Sequence, residues 1–217
     1  MGEIDRMLKW CKDNSRDRDY MLFLTLARTG RRISEVVGKP PYNRCVGLRP
    51  IDVFDDDLIE WDILKKAHIK RKTKKGKPIM DKKLYRLRLE KLPRRVLKPV
   101  DSQFMEILRD YISELNIGKY DRLFKITRQR AYQILRVVSK GAGVERPGMN
   151  IHLHMFRHSL AINMLKDNPH NPYILLQVNK ILDHSNINMT AHYAQFTPED
   201  IKQSLNKLFG GEDDTEI

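Results

Sequence analysis

A chain of 217 residues, 41% hydrophobic and 32% charged, can bury a sizeable core as one domain or at most two small ones. It has no apolar run of membrane-spanning length and no charged-then-apolar opening, so a cytoplasmic protein without a membrane partner is expected. Its formal charge of +13 points to a polyanionic partner, and the excess is concentrated. Residues 65–98 hold 16 of the 41 basic residues and two of the 28 acids, Asp81 and Glu90, a net of +14. The rest keeps 25 basic against 26 acidic residues, a net of −1. A basic block within a neutral domain reads as an element that tracks phosphates.

Taken in order, Ile4, Met7, Leu8 and Cys11 form a helical stripe over residues 3–12. Asp17 to Arg28 is apolar almost all round, the pattern of a buried helix, with Gly30 as its left-handed cap. A short helix follows over Ile33 to Val37, with Arg32 at its first turn and Glu35 placed to orient that arginine. Residues 39–50 read as loop. Ile59, Trp61 and Ile63 share one face of a strand over 58–64. The basic run to about Lys83, broken by Gly76 and Pro78, predicts a long exposed turn, and Leu84 to Leu92 reads as the return strand of a hairpin spanning 58–92.

Asp101 or Ser102 caps a helix through about Asn116, and Thr127 caps another to about Lys140. Arg128 and Arg130 open the second, as a solvated face or as contacts to phosphates. A helix over 153–166 places His154 and Arg157, three apart, on one face. His152 and His158 read as surface or core histidines. Tyr173 to Leu182 predicts a further amphipathic helix, residues 187–196 carry Tyr193, and Glu199 to Phe209 closes the fold before an acidic, disordered tail over 210–217. Cys11 and Cys45 show neither metal-type spacing nor a disulfide framework.

Three stretches carry chemistry. Arginine's planar fork suits phosphate, a nearby imidazole can take a proton, and a tyrosine can act as nucleophile. Residues 29–35 read Thr-Gly-Arg-Arg-Ile-Ser-Glu, residues 154–158 read His-Met-Phe-Arg-His, and Leu182 and His184 are followed nine residues later by Tyr193. In order and spacing these resemble the three boxes of the tyrosine recombinases (phage-type integrases), across roughly residues 3–209.

The resemblance implies a mainly α fold with a small antiparallel β-hairpin (α+β), the catalytic domain filling residues 1–209. The core-binding domain of about a hundred residues that usually precedes it is not expected here. It implies a site-specific recombinase or integrase that cleaves and rejoins DNA through a 3′-phosphotyrosine. The alternatives are type IB topoisomerase-like nicking and relaxation, or a catalytically silent DNA-binding protein. Tyr193 becomes the nucleophile, Arg32 and Arg157 the phosphate clamp, His154 the proton acceptor and His184 a phosphate hydrogen-bond donor. The general acid is a lysine near the hairpin tip, three and five residues after apolar strand positions. Ile63 and Trp61 precede Lys66 at those offsets, so Lys66 is chosen first and Lys65 second. Lys65, Lys70, Arg71, Lys72, Lys74, Lys75, Lys77, Arg128 and Arg130 are expected DNA contacts. No metal and no cofactor are expected. Double-stranded DNA is the partner, with self-association into a synaptic tetramer, in a nucleoid-associated or mobile-element setting. Asp183 stands where the family usually has glycine, placing a carboxylate beside His184.

Overall fold

In a computed structural model of the chain, residues 2–39, 45–63, 73–74, 77–78, 94–145, 148, 151–168, 171–183 and 188 are described. They divide between two compact units, Met1–Leu160 and Ala161–Ile217. The described residues are mostly helical, with two small two-stranded antiparallel sheets.

In the first unit, α1 (Glu3–Asp13) buries Met7 and Cys11, and α2 (Asp17–Thr29) buries Met21 through Leu26 without a break. A helix apolar on every side belongs at the centre of a fold. Its polar interior positions are satisfied internally: the Thr25 and Thr29 hydroxyls donate to the carbonyls four residues earlier, at 2.7 and 2.6 Å. Gly30 ends α2 in the left-handed region, φ 60° and ψ 17°, and its N–H returns to the Leu26 carbonyl. The short α3 (Ile33–Val36) starts three residues on.

Two further helices carry the caps legible in their sequences. Asp101 accepts from the Phe104 N–H at the head of α4 (Ser102–Glu114), and Thr127 accepts from the Arg130 N–H at the head of α5 (Arg128–Gly141). Trp10 of α1 lies against Gly141, where a Cβ would come within 2.3 Å of its ring. Any larger residue there would push the helices apart.

β1 (Leu58–Ile63) alternates in burial, with Ile59, Trp61 and Ile63 inward. Its partner corrects the sequence expectation. β1 pairs antiparallel with Arg94–Pro99, from Leu58↔Pro99 to Ile63↔Arg94, whereas Leu84 to Leu92 lies outside the described residues. Arg94–Pro99 escapes pattern reading because four of its six residues are charged or proline, so it presents no apolar face. Within the basic run, which the sequence reads as a long exposed turn, Thr73–Lys74 pairs with Lys77–Pro78 in a short ribbon. In chain order these are β2 (Thr73–Lys74), β3 (Lys77–Pro78) and β4 (Arg94–Pro99).

α6 (His154–Asp167) starts within the first unit, where Phe156 stacks on Phe23 with ring centroids 5.3 Å apart. In the second unit, Ala161, Ile174, Val178 and Leu182 are buried. α7 (Ile174–Leu182) ends at Asp183, which takes the left-handed conformation, φ 53° and ψ 44°. That backbone gives a physical reason for a glycine preference at this position; an aspartate tolerates the region better than most side chains.

Cys45, left without a role by the sequence, is buried and its thiol donates to the Ser34 carbonyl at 3.0 Å. Burial pushes the Cys11 and Cys45 thiols up to about 12, so neither is a reactive thiolate at neutral pH. The tail 210–217, the predicted helix 199–209 and the Tyr193 segment 191–196 lie outside the described residues.

Candidate active site

The site is built around the exit of α2. Once Gly30 has turned the chain, Arg32 becomes the residue that caps α3, with extended backbone at φ −70° and ψ 143°. Glu35, one turn into α3 and 1% exposed, holds this arginine twice. Its Oε2 accepts the Arg32 backbone N–H and its Oε1 accepts Arg32 Nη1, both at 2.9 Å. A buried carboxylate is costly unless paired and hydrogen-bonded, so Glu35 and Arg32 fix each other. The Arg32 side chain keeps 28% of its surface open.

Arg157 comes from the first turn of α6, is 4% exposed, and donates from Nη1 to the Gly30 carbonyl at 2.8 Å. Residues 127 positions apart in sequence thus meet at one glycine, two residues before Arg32. His154 lies one turn ahead of Arg157 on α6 and reaches solvent. Desolvation by the surrounding protein lowers its pKa below the usual 6.5, aided by the charges of Arg157, His158, Arg32 and His152 in that order. An imidazole held neutral beside two guanidinium groups can accept a proton at pH 7 while the arginines bind an oxyanion.

His154 has company that the sequence did not single out. The rings of His152, His154 and His158 stand 6.3, 6.1 and 6.4 Å apart by centroid, and His152 Nδ1 is buried without a hydrogen-bond partner. His158 is also shifted down, first by burial and then by His152 and Arg157. His152 precedes the helix, so no helical spacing could place it beside His154. Among the described residues, no three His, Cys, Asp or Glu side chains are grouped to hold a metal ion. Arg31 is buried at this corner as well, with its Nε 3.4 Å from the Thr29 carbonyl, a position without a sequence signal.

The remaining candidate residues fall elsewhere. Arg128 and Arg130 are exposed at the head of α5, where Arg130 Nη1 donates to Gln133 at 3.1 Å. Lys74 is the register partner of Lys77 in the β2–β3 pairing. Lys65, Lys66, Lys70, Arg71, Lys72, Lys75, His184 and Tyr193 lie outside the described residues.

The phage integrase family profile matches residues 58–200, about two thirds of the chain. This chain belongs to the phage integrase family. A curated relative from Pseudothermotoga lettingae, described as a tyrosine recombinase, is 25% identical over 211 residues. The match covers 95% of this chain and 59% of that relative, so the chain spans less than two thirds of the relative's length. Among solved structures, the XerA recombinase aligns with a TM-score of 0.57 at 19% identity, over 95% of this chain and 63% of that one. The XerH site-specific recombinase in a pre-cleavage complex with its difH substrate aligns at 0.58 and 20%, over 94% and 52%. The Tn1549 transposon integrase in complex with circular intermediate DNA aligns at 0.56 and 18%, over 93% and 61%. At such identities the structural likeness speaks for the fold, which this integrase-family chain shares across nearly its whole length.

Proposed function

We propose that this chain cleaves and rejoins DNA strands as a site-specific recombinase or integrase, through a 3′-phosphotyrosine. The hydrogen bond from Arg157 to the Gly30 carbonyl carries the reading, because it joins the two arginine-bearing motifs at one corner beside a neutral His154. In the reaction, the Tyr193 oxygen bonds to the scissile phosphorus as the bond to the 5′-oxygen breaks. His154 takes the tyrosyl proton, since a phenol with pKa near ~10 is otherwise a poor nucleophile. Arg32 and Arg157 stabilise the charge that builds on the non-bridging oxygens. Lys66, or Lys65 in second place, protonates the departing 5′-oxygen, and His184 donates to the phosphate. Exchanging one phosphodiester for another conserves the bond energy, so rejoining needs neither ATP nor a cofactor.

Double-stranded DNA is the proposed substrate, reached through the basic run and through Arg128 and Arg130, with assembly of a synaptic tetramer on two sites. The DNA complexes of XerH and the Tn1549 integrase support this choice of substrate. The test uses a randomised duplex library nicked near the cleavage window, so that the 5′-hydroxyl fragment diffuses away and covalent adducts accumulate. Parent protein should yield adducts on a restricted set of sequences, and Tyr193→Phe should yield none while binding DNA nearly as well. Adducts that persist in Tyr193→Phe would assign the nucleophile to another residue. Absence of adducts with the parent would overturn the strand-exchange reading. Recombination of two recovered sites, compared with relaxation of a supercoiled plasmid, separates a recombinase from a topoisomerase.

A further inference from the structure

α3 is a single turn, and one turn of helix is not stable by itself. It nevertheless carries Arg32 at its head and Glu35 within it, so Arg32 is only as fixed as this turn. At the head, Arg157 reaches the Gly30 carbonyl, and Glu35 takes the Arg32 N–H and Nη1. The far end is held from outside. A helix end leaves carbonyls without partners of its own, and those of Ser34, Val36 and Val37 are each met by a donor from another segment. The Cys45 thiol donates to Ser34 at 3.0 Å, the Leu48 N–H to Val36 at 2.9 Å, and Arg122 Nη1 to Val37 at 3.1 Å.

Cys45 and Leu48 belong to the segment that lies directly against the exit of α3. A Cβ on Gly38 would stand 2.5 Å from the Val46 carbonyl oxygen, and one on Gly47 2.7 Å from the Gly38 nitrogen. Arg122 comes from elsewhere, the connection between α4 and α5, 85 positions from Val37. Its base is fixed there: the Leu123 N–H donates to the Leu48 carbonyl at 2.9 Å, and Leu123 and Phe124 are buried. Because Val37 is fully buried, a carbonyl deprived of the Arg122 donor is costly to leave in place, and the end of α3 must shift to relieve it. A shift of this one turn moves Glu35, and Glu35 moves the Arg32 guanidinium.

We propose that Arg122 is a positioning residue for the phosphate clamp. By tying the end of α3 to the α4–α5 connection it holds Glu35, and through Glu35 the Arg32 guanidinium, in place while charge builds on the phosphate. This rests on the strand-exchange reading and on Arg32 acting at a non-bridging oxygen. Such a role has a signature that general loosening lacks. Replacing one non-bridging oxygen of the scissile phosphate by methyl gives a neutral methylphosphonate, whose transition state carries one negative charge fewer. A misplaced arginine matters less on that substrate, because there is less charge for it to stabilise. A loosened fold slows both substrates alike.

The experiment uses the full chain and a duplex recovered by adduct trapping, synthesised with an ordinary phosphate or a methylphosphonate at the scissile position. Arg122→Met should form adducts on the ordinary strand roughly tenfold more slowly than the parent, as expected for losing one charge-assisted bond that is partly open to water. Its DNA affinity should be unchanged by titration, and on the methylphosphonate it should approach the parent rate. Arg122→Lys, which can still donate one bond, should recover most of the loss. Lys125→Met removes a neighbouring exposed charge that pairs with Asp121, not with α3, and should match the parent on both substrates. Equal slowing of Arg122→Met on both substrates, no slowing on either, or a fall in affinity that accounts for the lost rate overturns the inference. So does slowing by Lys125→Met as large as that by Arg122→Met. If Arg122→Met loses its cooperative thermal transition, Arg122→Gln decides by the same criteria. If the parent does not cleave the methylphosphonate, the split between rate and affinity and the Lys125→Met comparison decide. Arg32→Ala runs alongside: if the neutral substrate does not relieve its defect, Arg32 is not the clamp and this inference falls with it. If the parent forms no Tyr193-dependent adduct on ordinary DNA, the strand-exchange reading itself has failed.

Discussion

The arginines of the candidate active site and Arg95 at the root of the basic run differ in how far water reaches them and their partners. Arg157 is buried and bonded to a backbone carbonyl, and Arg32 is fixed by a carboxylate that is 1% exposed. Arg95 is 37% exposed and held by side-chain carboxylates, of which Glu60 is itself 30% exposed. Water screens the second arrangement far more than the first. A backbone anchor cannot move unless α2 ends differently, whereas of the two carboxylates that hold Arg95, Asp52 is buried and fixed by Arg49 and only the partly exposed Glu60 on β1 can swing. The same residue type is therefore held by buried partners in one place and by one buried and one partly exposed carboxylate in the other.

The largest effect expected from breaking that contrast is at Arg157. Arg157→Ala should lower the cleavage rate by about a hundred- to a thousandfold, the usual cost of one transition-state donor, while DNA affinity measured by titration changes little. Arg157→Lys should recover only part of it, because an ammonium cannot donate to the Gly30 carbonyl and to a phosphate with the geometry of a fork. Equal losses in rate and affinity would make Arg157 a simple phosphate anchor.

Glu35→Gln should come next. The amide oxygen can still accept one bond from Arg32, but the ion pair is lost, so denaturant unfolding should show a loss of about 1–2 kcal/mol. Single-turnover cleavage should slow with it. A fall in stability with an unchanged rate would show that Arg32 is oriented without Glu35.

The smallest effect sharpens the electrostatic side. The lowered pKa values of His154 and His158 mean that the unfolded chain, with histidines near 6.5, takes up protons before the folded one. Their contribution to stability is therefore intact above about 6.5 and lost as pH falls below it. Cleavage should likewise stay level through neutral pH and decline only below the ordinary histidine range. Melting profiles across pH should flatten on the acid side in His158→Gln, and the acid limb of the rate should move upward in Arg32→Gln, where one nearby positive charge is gone. An acid limb that stays in place would mean another group governs it.

Much of this molecule was legible in the sequence wherever a short period reports a buried face. The unbroken apolar run of α2, the alternation of Ile59, Trp61 and Ile63, the caps Asp101 and Thr127, and the turn at Gly30 are all local statements. The spacing of His154 and Arg157 fixed their shared face on α6, and the motif order placed the chain in its family. Tertiary structure decided what local pattern cannot carry. It selected Arg94–Pro99 as the partner of β1, a segment with no apolar face of its own, held in place by Arg95 across 43 residues to Asp52. It brought His152, which belongs to no helix, beside His154, buried Cys45 from a loop, and joined Arg157 to the carbonyl of Gly30. Periodicity encodes which face of an element is dry, because burial repeats with the backbone. Which strand it meets, and which buried polar atom it satisfies, depends on segments far away in the chain, and these are settled when the core closes.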